Sequence, residues 1–257
     1  MRPLLMHRFY LPPPQCQGLA LTLTGAEAHH ALDVLRVKIG DPVAVLDGAG
    51  REFSCAVSAV DRKTVTLAVG KTHVSPAPSC RVTLVQAVPK GKLLETIIQK
   101  ATELGAFRII PLLSERVATR LEEEAVQHKA EKWRQAAIEA IKQCGQRWLP
   151  QVEAPVTLPG LLARGECFDL SLVGSLQSDA RHPREYFRSF QFDANRQPAT
   201  IWLWIGPEGD FTDSEYSAIR NAGGLPISLG PLVLRSDTAA LYALSIVSYE
   251  LQVPPTS

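Results

Sequence analysis

IWLWIGPEGD, residues 201–210, is the most informative stretch of this sequence. The five apolar residues Ile201–Ile205 predict a buried strand, and the loop that follows contains two glycines. A second glycine loop, Ser228–Gly230, leads into Leu234–Thr238 further along the chain. In an open α/β sheet, such loops lie at the carboxyl ends of strands, where small ligands bind, and glycine lets the backbone approach a ligand closely. The pattern predicts a cofactor site.

The segments before this strand alternate between strand and helix patterns. Further strands are predicted at Val82–Val88, Phe107–Leu112 and Phe168–Val173. An apolar stripe predicts a helix over Leu93–Leu104, which Gly105 ends. A longer helix is predicted at roughly 122–144, with an apolar side formed by Ala125, Trp133, Ala137, Ile141 and Cys144. Because strands and helices alternate, we expect a doubly wound α/β domain with a mostly parallel sheet.

Two more helices are predicted after the tryptophan-rich strand. Thr212–Glu215 has the pattern of a capping box, and Gly223 and Gly224 end the helix that it opens. The last helix, about Thr238–Leu251, is apolar on nearly every face. Such a helix has to be buried, either within its own fold or against a second subunit.

The N-terminal part has a different pattern. Thr24–Glu27 resembles a capping box that opens a short helix ending near Val37, and Pro42–Val69 alternates as β-structure around a turn at Asp47–Gly50. Thr72–Ser79 contains two prolines among small polar residues and is predicted to be a linker. We therefore expect a small β-rich domain over residues 1–75 and the α/β domain over residues 80–257.

The composition is that of a soluble protein, with 46% apolar and 21% charged residues. The sequence contains no uncharged apolar run of about 18 residues and no secretory signal pattern, so we expect a cytoplasmic protein without a membrane span. Five scattered cysteines without a C-x-x-C pair favour reduced thiols, and we expect no structural metal. A net charge of +1 neither requires nor excludes nucleic acid.

Each candidate functional segment has a plain structural alternative. Gly206–Asp210 can be a tight strand-to-helix turn, although the second glycine loop favours a pocket. A P-loop and a dinucleotide fingerprint are both missing. Lys90 and Lys92 precede a helix, where a positive charge suggests a nearby anion. Arg235–Thr238 can be a helix cap with a surface ion pair, but its position after the glycine loop favours a functional role.

Basic residues of the first domain are candidates for phosphate contacts, although short basic groups are usually only solvated. These residues are Arg8, Arg36, Lys38 and Arg51. The four tryptophans lie in apolar surroundings, so they are interpreted as core or interface residues and not as platforms for bases. Neither a serine hydrolase nor a glycosidase pattern is present.

Together these segments resemble the RsmE-type 16S ribosomal RNA uridine-N3 methyltransferases of the SPOUT class. The C-terminal resemblance is carried by Ile205–Gly209, Leu229–Arg235 and Asp237–Ala240. Nearly the whole chain takes part, because other motifs follow in the same order: Lys90–Lys92 with Glu95, Gln99–Gly105, Ser114–Arg116 and Gln143–Gly145. Met6–Tyr10, His30, Val34–Arg36 and Gly40–Asp41 resemble the family's PUA-like RNA-binding domain.

Two positions depart from the family pattern. Asp237 stands where the family usually has glutamate, which keeps a carboxylate on a shorter side chain. Gly145–Trp148 replaces a Gly-Arg-Asn-Arg run, so no RNA contact is transferred to Gln146 or Arg147.

The resemblance implies a trefoil-knotted C-terminal domain, a PUA-like N-terminal barrel, a homodimer and S-adenosylmethionine as cofactor. It implies 16S ribosomal RNA, within the small subunit, as the partner and N3 of a uridine as the methylated atom. The implied cofactor-binding residues are Leu176, Ile205, Gly206, Pro207, Glu208, Gly209, Leu229, Gly230 and Leu234.

Arg235 and Asp237 are the implied catalytic residues, and Arg8, Arg36, Lys90 and Lys92 the implied RNA contacts. Methylation of another RNA atom, such as a ribose 2′-oxygen, and a non-catalytic role in ribosome assembly remain the alternatives.

Overall fold

The structure, a computed structural model, describes residues 6–91, 93–116 and 123–252, with the backbone alone for 123–128. The chain divides into two compact units, Met1–Ala77 with Ile138–Leu149 and Pro78–Ala137 with Pro150–Ser257. The first unit is therefore discontinuous in sequence. The predicted domains, 1–75 and 80–257, did not include the return of residues 138–149 to the first unit.

The predicted helices occur in the predicted order, and the structure adds one short helix and one amphipathic helix that were not predicted. Within the described ranges they are α1 Gly25–His29, α2 Leu93–Glu103, α3 Glu123–Cys144, α4 Leu158–Leu162, α5 Pro183–Ala194, α6 Asp213–Asn221 and α7 Ser236–Gln252. None of these is long and apolar enough to cross a bilayer. The predicted capping box of α6 is confirmed, because the Thr212 hydroxyl accepts from Glu215 N and the Glu215 carboxylate accepts from Thr212 N.

The first unit is built on a five-stranded sheet. Its strands are β1 His7–Tyr10, β2 Ala20–Leu23, β3 Pro42–Leu46, β4 Arg51–Val60 and β5 Val65–Val74. They lie in the order β1-β3-β4-β5-β2, with β1 parallel to β3 and the other neighbours antiparallel. The expected β-rich N-terminal fold is confirmed. The predicted linker is partly wrong, because β5 extends to Val74 and pairs there with Arg51 at the start of β4.

The capping box predicted at the start of α1 does not form, because Glu27 makes tertiary contacts instead. Thr24 occupies the N-cap position, but its side chain makes no capping hydrogen bond. The Glu27 carboxylate instead accepts from Tyr10 N at 3.3 Å and from Lys142 Nζ at 2.8 Å. The helix then continues as a π-helical segment, His30–Leu35. The predicted capping box is therefore wrong, since a buried lysine takes the glutamate.

The last turns of α3 belong to the core of the first unit. Ile138 and Ile141 pack against Tyr10 and Leu46. Cys144, which was expected on the apolar side of this helix, is exposed. The apolar face of α3 ends before Cys144, and Ala125 lies outside the side chains that are described.

The second unit contains a parallel sheet. Its strands are β6 Arg81–Ala87, β7 Arg108–Leu113, β8 Gln151–Val152, β9 Val156–Thr157, β10 Leu170–Gly174, β11 Thr200–Ile205 and β12 Leu225–Ile227. The order is β12-β10-β11-β6-β7-β8, with β9 also paired to β7, and all these pairings between described strands are parallel. The expected α/β class with a mostly parallel sheet is confirmed. Trp202 and Trp204 lie in its core, as predicted.

The apolar helix α7 is only partly covered within the described chain. Ala240, Ala243, Leu244 and Val247 are buried, and the helix packs against α2 and β11. Tyr242 and Tyr249 are 49% and 60% exposed. The helix therefore has an inner face and an outer face that carries exposed aromatic rings.

A carboxylate ties the start of β10 to the start of β11. Asp169 accepts two hydrogen bonds from the Arg196 guanidinium, at 2.7 and 2.8 Å, and one from Ala199 N at 2.6 Å. These donors favour the charged carboxylate, and Arg196 lowers the pKa of Asp169 from 3.8 to about 2.

We expect Asp169→Asn to lower the free energy of unfolding by about 1–3 kcal/mol at neutral pH, because hydrogen bonds to a charged group are lost. The depressed pKa stabilises the fold above about pH 4, and this contribution disappears as the pH falls through about 2. Urea denaturation between pH 2 and 7 measures the effect. Asp193→Asn, on the exposed surface of α5, is the matched control. An unchanged difference between variant and wild type at pH 2 and pH 7 would contradict this assignment.

Candidate functional site

A pocket lies at the carboxyl ends of β10, β11 and β12. Its empty space, including the part open to solvent, is about 590 Å³. Three chain segments form its walls, and the lining residues are Gly174, Ser175, Leu176, Ile205, Gly206, Pro207, Glu208, Asp210, Leu229, Gly230, Leu232, Val233, Leu234, Ser236 and Ala239. The two glycine loops named from the sequence thus face one cavity. This is the strand edge at which open α/β sheets bind ligands.

The loop after β11 is a tight turn closed by its own backbone. Asp210 N donates to Pro207 O at 2.9 Å, and the Asp210 backbone is left-handed with φ of 61°. The Asp210 carboxylate accepts from Phe211 N at 2.8 Å. A Cβ at position 206 would lie 2.9 Å from Asp210 Oδ1 and 3.3 Å from Phe211 N, so a larger residue there would displace the Asp210 carboxylate or the backbone of the turn.

The second glycine loop supplies apolar surface. Gly230 has φ of +106°, a conformation that favours glycine. Leu232 and Val233 follow it and are 72% and 79% exposed, and Leu176 from the third wall is 62% exposed. Large apolar side chains exposed around a cavity indicate a binding surface for a partly apolar molecule.

Eight of the nine residues predicted to bind a cofactor line this pocket. The ninth, Gly209, is outside the lining, and its Cβ position lies 3.5 Å from the Arg116 side chain. The structure therefore brings the predicted set together from three separate segments. Their role in binding a cofactor stays a prediction.

Arg235 and Asp237 flank the first residue of α7, next to the pocket. Arg235 is exposed, and its side chain forms no hydrogen bond or ion pair with the described residues. Asp237 is half-buried, and its Oδ1 is buried without a hydrogen-bond partner in that same part of the chain. Arg235 and Asp237 are therefore chain neighbours of the lining residues Leu234 and Ser236, and both have hydrogen-bonding capacity that the described residues do not use.

Ser236, between these two residues, was missed as a site residue by the sequence analysis. Its hydroxyl donates to Gly206 O at 2.6 Å and accepts from Gln86 Nε2 at 2.9 Å. The only sequence signal was its place inside the Arg235–Thr238 motif. Nothing in the local pattern indicates that its partners lie in β6 and in the β11 loop.

The rim of the β11 loop carries charged residues. Lys90 is exposed, and its backbone N donates to the Glu208 carboxylate at 3.3 Å. The Arg116 side chain lies beside Gly209. Lys92, also predicted to contact RNA, lies outside the described residues. The structure thus places one predicted RNA contact, Lys90, at the pocket rim.

The predicted RNA contacts of the first unit have different surroundings. Arg36 is exposed at the end of the π-helical segment, with φ of 54°. Arg8 is half-buried, and its guanidinium donates to the carbonyls of Lys142 and Gln143, at 3.5 and 3.3 Å. A cation at the C-terminal end of α3 stabilises the helix dipole. Arg8 therefore has a structural contact that the sequence did not indicate.

The described side chains form no group of three or more His, Cys, Asp or Glu arranged to hold a metal ion. Burial raises the pKa of the Cys80 thiol to about 12 and those of Cys16 and Cys55 to about 11, so these thiols are neutral at pH 7. The side-chain polar groups that line the pocket are the hydroxyls of Ser175 and Ser236 and the carboxylates of Glu208 and Asp210.

Two family models match consecutive parts of the chain. An RNA methyltransferase PUA domain matches residues 23–70, and an RNA methyltransferase domain matches residues 75–248. The second match contains every residue that lines the pocket.

Relatives and solved structures cover nearly the whole chain. Ribosomal RNA small subunit methyltransferase E of Bacillus subtilis is 31% identical over 90% of this chain and 91% of its own length. The protein of that name from Synechocystis is 34% identical over 96% of this chain and 79% of its own length. A Legionella pneumophila protein, described as a methyltransferase in complex with the bound cofactor SAM, is 32% identical with a TM-score of 0.85. That likeness covers 95% of this chain and 97% of the other.

Proposed function

The chain belongs to the ribosomal RNA small subunit methyltransferase E family, and we propose that it transfers the methyl group of S-adenosylmethionine to N3 of a specific uridine in 16S ribosomal RNA. The observation that carries this proposal is the pocket, in which both glycine loops wall one cavity at the strand ends. A related protein with bound SAM has the same fold, which supports this cofactor.

The lining fits the parts of S-adenosylmethionine. The exposed apolar side chains of Leu176, Leu232 and Val233 can cover the adenine ring and the methylene groups. Gly206 leaves backbone accessible, and the Glu208 carboxylate can accept hydrogen bonds from hydroxyl and ammonium groups. We propose that the binding residues are Leu176, Ile205, Gly206, Pro207, Glu208, Gly209, Leu229, Gly230 and Leu234.

When bound, S-adenosylmethionine supplies a methyl group on a positively charged sulfur, which is already a strong leaving group. The protein then has to position the two reactants and help N3 lose its proton as the new carbon–nitrogen bond forms. We assign stabilisation of the developing negative charge on uracil to Arg235. To Asp237 we assign either the orientation of Arg235 once substrate is bound or acceptance of the N3 proton. Asp237 Oδ1 has no hydrogen-bond partner among the described residues, so it has an acceptor position left for that proton.

The target base requires a separate RNA-binding surface. N3 of uridine lies on the Watson–Crick edge, so the base must be unpaired or flipped out before methylation. We propose that the PUA-like unit binds the surrounding RNA through exposed basic residues such as Arg36, and that Lys90, at the pocket rim, and Lys92 also contact RNA. An enzyme acting on small-subunit RNA would work in the cytoplasm.

We also propose that the chain forms a homodimer and that its C-terminal domain is knotted, as the family resemblance implies. The exposed rings of Tyr242 and Tyr249 on the otherwise apolar helix α7 support a partner surface. Light scattering measures the oligomeric state, and a monomeric mass would contradict the dimer.

The direct test is methyl transfer to small ribosomal subunits from a strain that lacks this gene. The subunits are incubated with methyl-labelled S-adenosylmethionine, and the labelled nucleosides are identified and mapped by mass spectrometry. We expect N3-methyluridine at one position of 16S RNA, and none with wild-type subunits that are already methylated. A 2′-O-methylated nucleoside would favour a different RNA atom. No label, from protein that does not bind the cofactor in calorimetry, would favour an assembly factor.

A further inference from the structure

The hydroxyl of Ser236 joins three elements that meet at the wall of the pocket. Ser236 is the first residue of α7 and is 4% exposed. Its Oγ lies 2.6 Å from Gly206 O, in the loop after β11, and 2.9 Å from Gln86 Nε2, in β6. Gln86 is fully buried and lies opposite Ile205 across the parallel pairing of β6 with β11. One hydroxyl therefore connects a strand, a pocket loop and a helix start.

The direction of these hydrogen bonds follows from the donors available. Gln86 Nε2 also lies 2.9 Å from Ala87 O, which only accepts, so the amide nitrogen must face this carbonyl. The nitrogen then donates its second hydrogen to Ser236 Oγ. Because the hydroxyl has a single proton, that proton is left for Gly206 O. Gln86 thus orients the serine as a donor to the pocket loop.

The accepting carbonyl has a special place in the loop. Gly206 is followed by Pro207, which has no backbone N–H, so the Gly206 carbonyl is the only polar group of this peptide unit. Holding this carbonyl fixes the peptide plane at the point where the chain leaves β11. The following part of the loop is held by the hydrogen bond from Asp210 N to Pro207 O. The loop is therefore held at both ends before any ligand enters.

We propose that Ser236, oriented by Gln86, is a positioning residue. Its hydroxyl sets the shape of the Gly206–Asp210 loop for cofactor binding and holds the start of α7 against this loop. The inference rests on the proposed function of the pocket. A loop held in its binding conformation loses less entropy when the ligand binds, so affinity depends on the hydroxyl.

The test compares two buried serines of the same unit. Ser236→Ala is expected to weaken S-adenosylmethionine binding about tenfold or more in calorimetry, because Gly206 O loses its donor. Ser236→Thr keeps the hydroxyl and should bind within about threefold of wild type. The control is Ser171→Ala, since Ser171 Oγ accepts from Trp204 Nε1 at 2.9 Å in the sheet core, away from the lining. This variant should lower the melting temperature and leave cofactor affinity unchanged.

Kinetics distinguish positioning from a general loss of stability. For Ser236→Ala we expect a raised KM for S-adenosylmethionine with little change in KM for the RNA substrate. Gln86→Met removes the donor that orients the hydroxyl, so it should weaken cofactor binding in the same direction. The double variant should be no weaker than Ser236→Ala alone, because both changes break one chain of hydrogen bonds. Gln86→Met also keeps the test decisive if Ser236→Ala does not fold.

The two proposals fail in different ways. Wild-type protein that binds no S-adenosylmethionine overturns the proposed function of the pocket and this inference with it. Wild-type binding together with unchanged affinity in Ser236→Ala and Gln86→Met overturns the positioning role alone. Equal losses of affinity in Ser236→Ala and Ser171→Ala would also reject it, because the effect would then come from lost stability.

Discussion

Gly206→Val is expected to weaken S-adenosylmethionine binding by about 100-fold, because the added side chain overpacks the loop that walls the pocket. A Cβ at this position would lie 2.9 Å from Asp210 Oδ1 and 3.3 Å from Asp210 Cα. The Asp210 carboxylate cannot move aside without losing its hydrogen bond to Phe211 N. The new side chain therefore either breaks this hydrogen bond or opens the turn, and both changes alter the wall of the pocket, to which Asp210 belongs.

Calorimetric titration with S-adenosylmethionine measures this loss, and a melting curve shows whether the variant is folded. Gly209→Val is the matched change in the same loop, since among the described residues only the Arg116 side chain lies within 4 Å of its Cβ position, at 3.5 Å. We expect a much smaller loss of affinity there. Similar affinities for Gly206→Val and wild type would show that the loop does not form the cofactor site.

Arg235→Ala is expected to lower the methyl transfer rate by about 100-fold or more while cofactor affinity stays within about threefold of wild type. The guanidinium is exposed beside the pocket and forms no ion pair with the described residues. It is therefore available to stabilise negative charge on the substrate. Its removal should leave the pocket lining intact, because Arg235 is not among the lining residues.

Single-turnover methylation of small subunits measures this rate, and calorimetry measures the affinity. Arg188→Ala, on the exposed surface of α5 in the same unit, controls for the loss of a positive charge. Arg235→Lys keeps the charge but loses the planar guanidinium, so we expect an intermediate rate. A rate for Arg235→Ala within a few-fold of wild type would exclude a role in the chemical step.

Local patterns in the sequence predicted those parts of the fold that depend on nearest neighbours. The Thr212 capping box forms because both of its partners lie within one helical turn. By contrast, the same pattern at Thr24 fails, because Glu27 finds a buried lysine far away in the sequence. Strand β5 continues into the predicted linker because β4 offers it a partner. In both cases the local prediction fails because a group elsewhere in the sequence forms the hydrogen bond or the strand pairing instead.

The sequence by itself determined that two glycine loops follow buried strands of a parallel sheet, since apolar periodicity and glycine placement are properties of neighbouring residues. The resemblance to a known family supplied the nine implied binding residues, and eight of them line one pocket. Only the tertiary structure decided that Ser236 holds Gly206, that Arg8 meets the end of α3, and that 138–149 returns to the first unit. The hydrogen bonds among these contacts join residues 30 to 150 positions apart in the sequence. Chain topology and burial decide which of these residues meet, and a local sequence pattern contains no information on either.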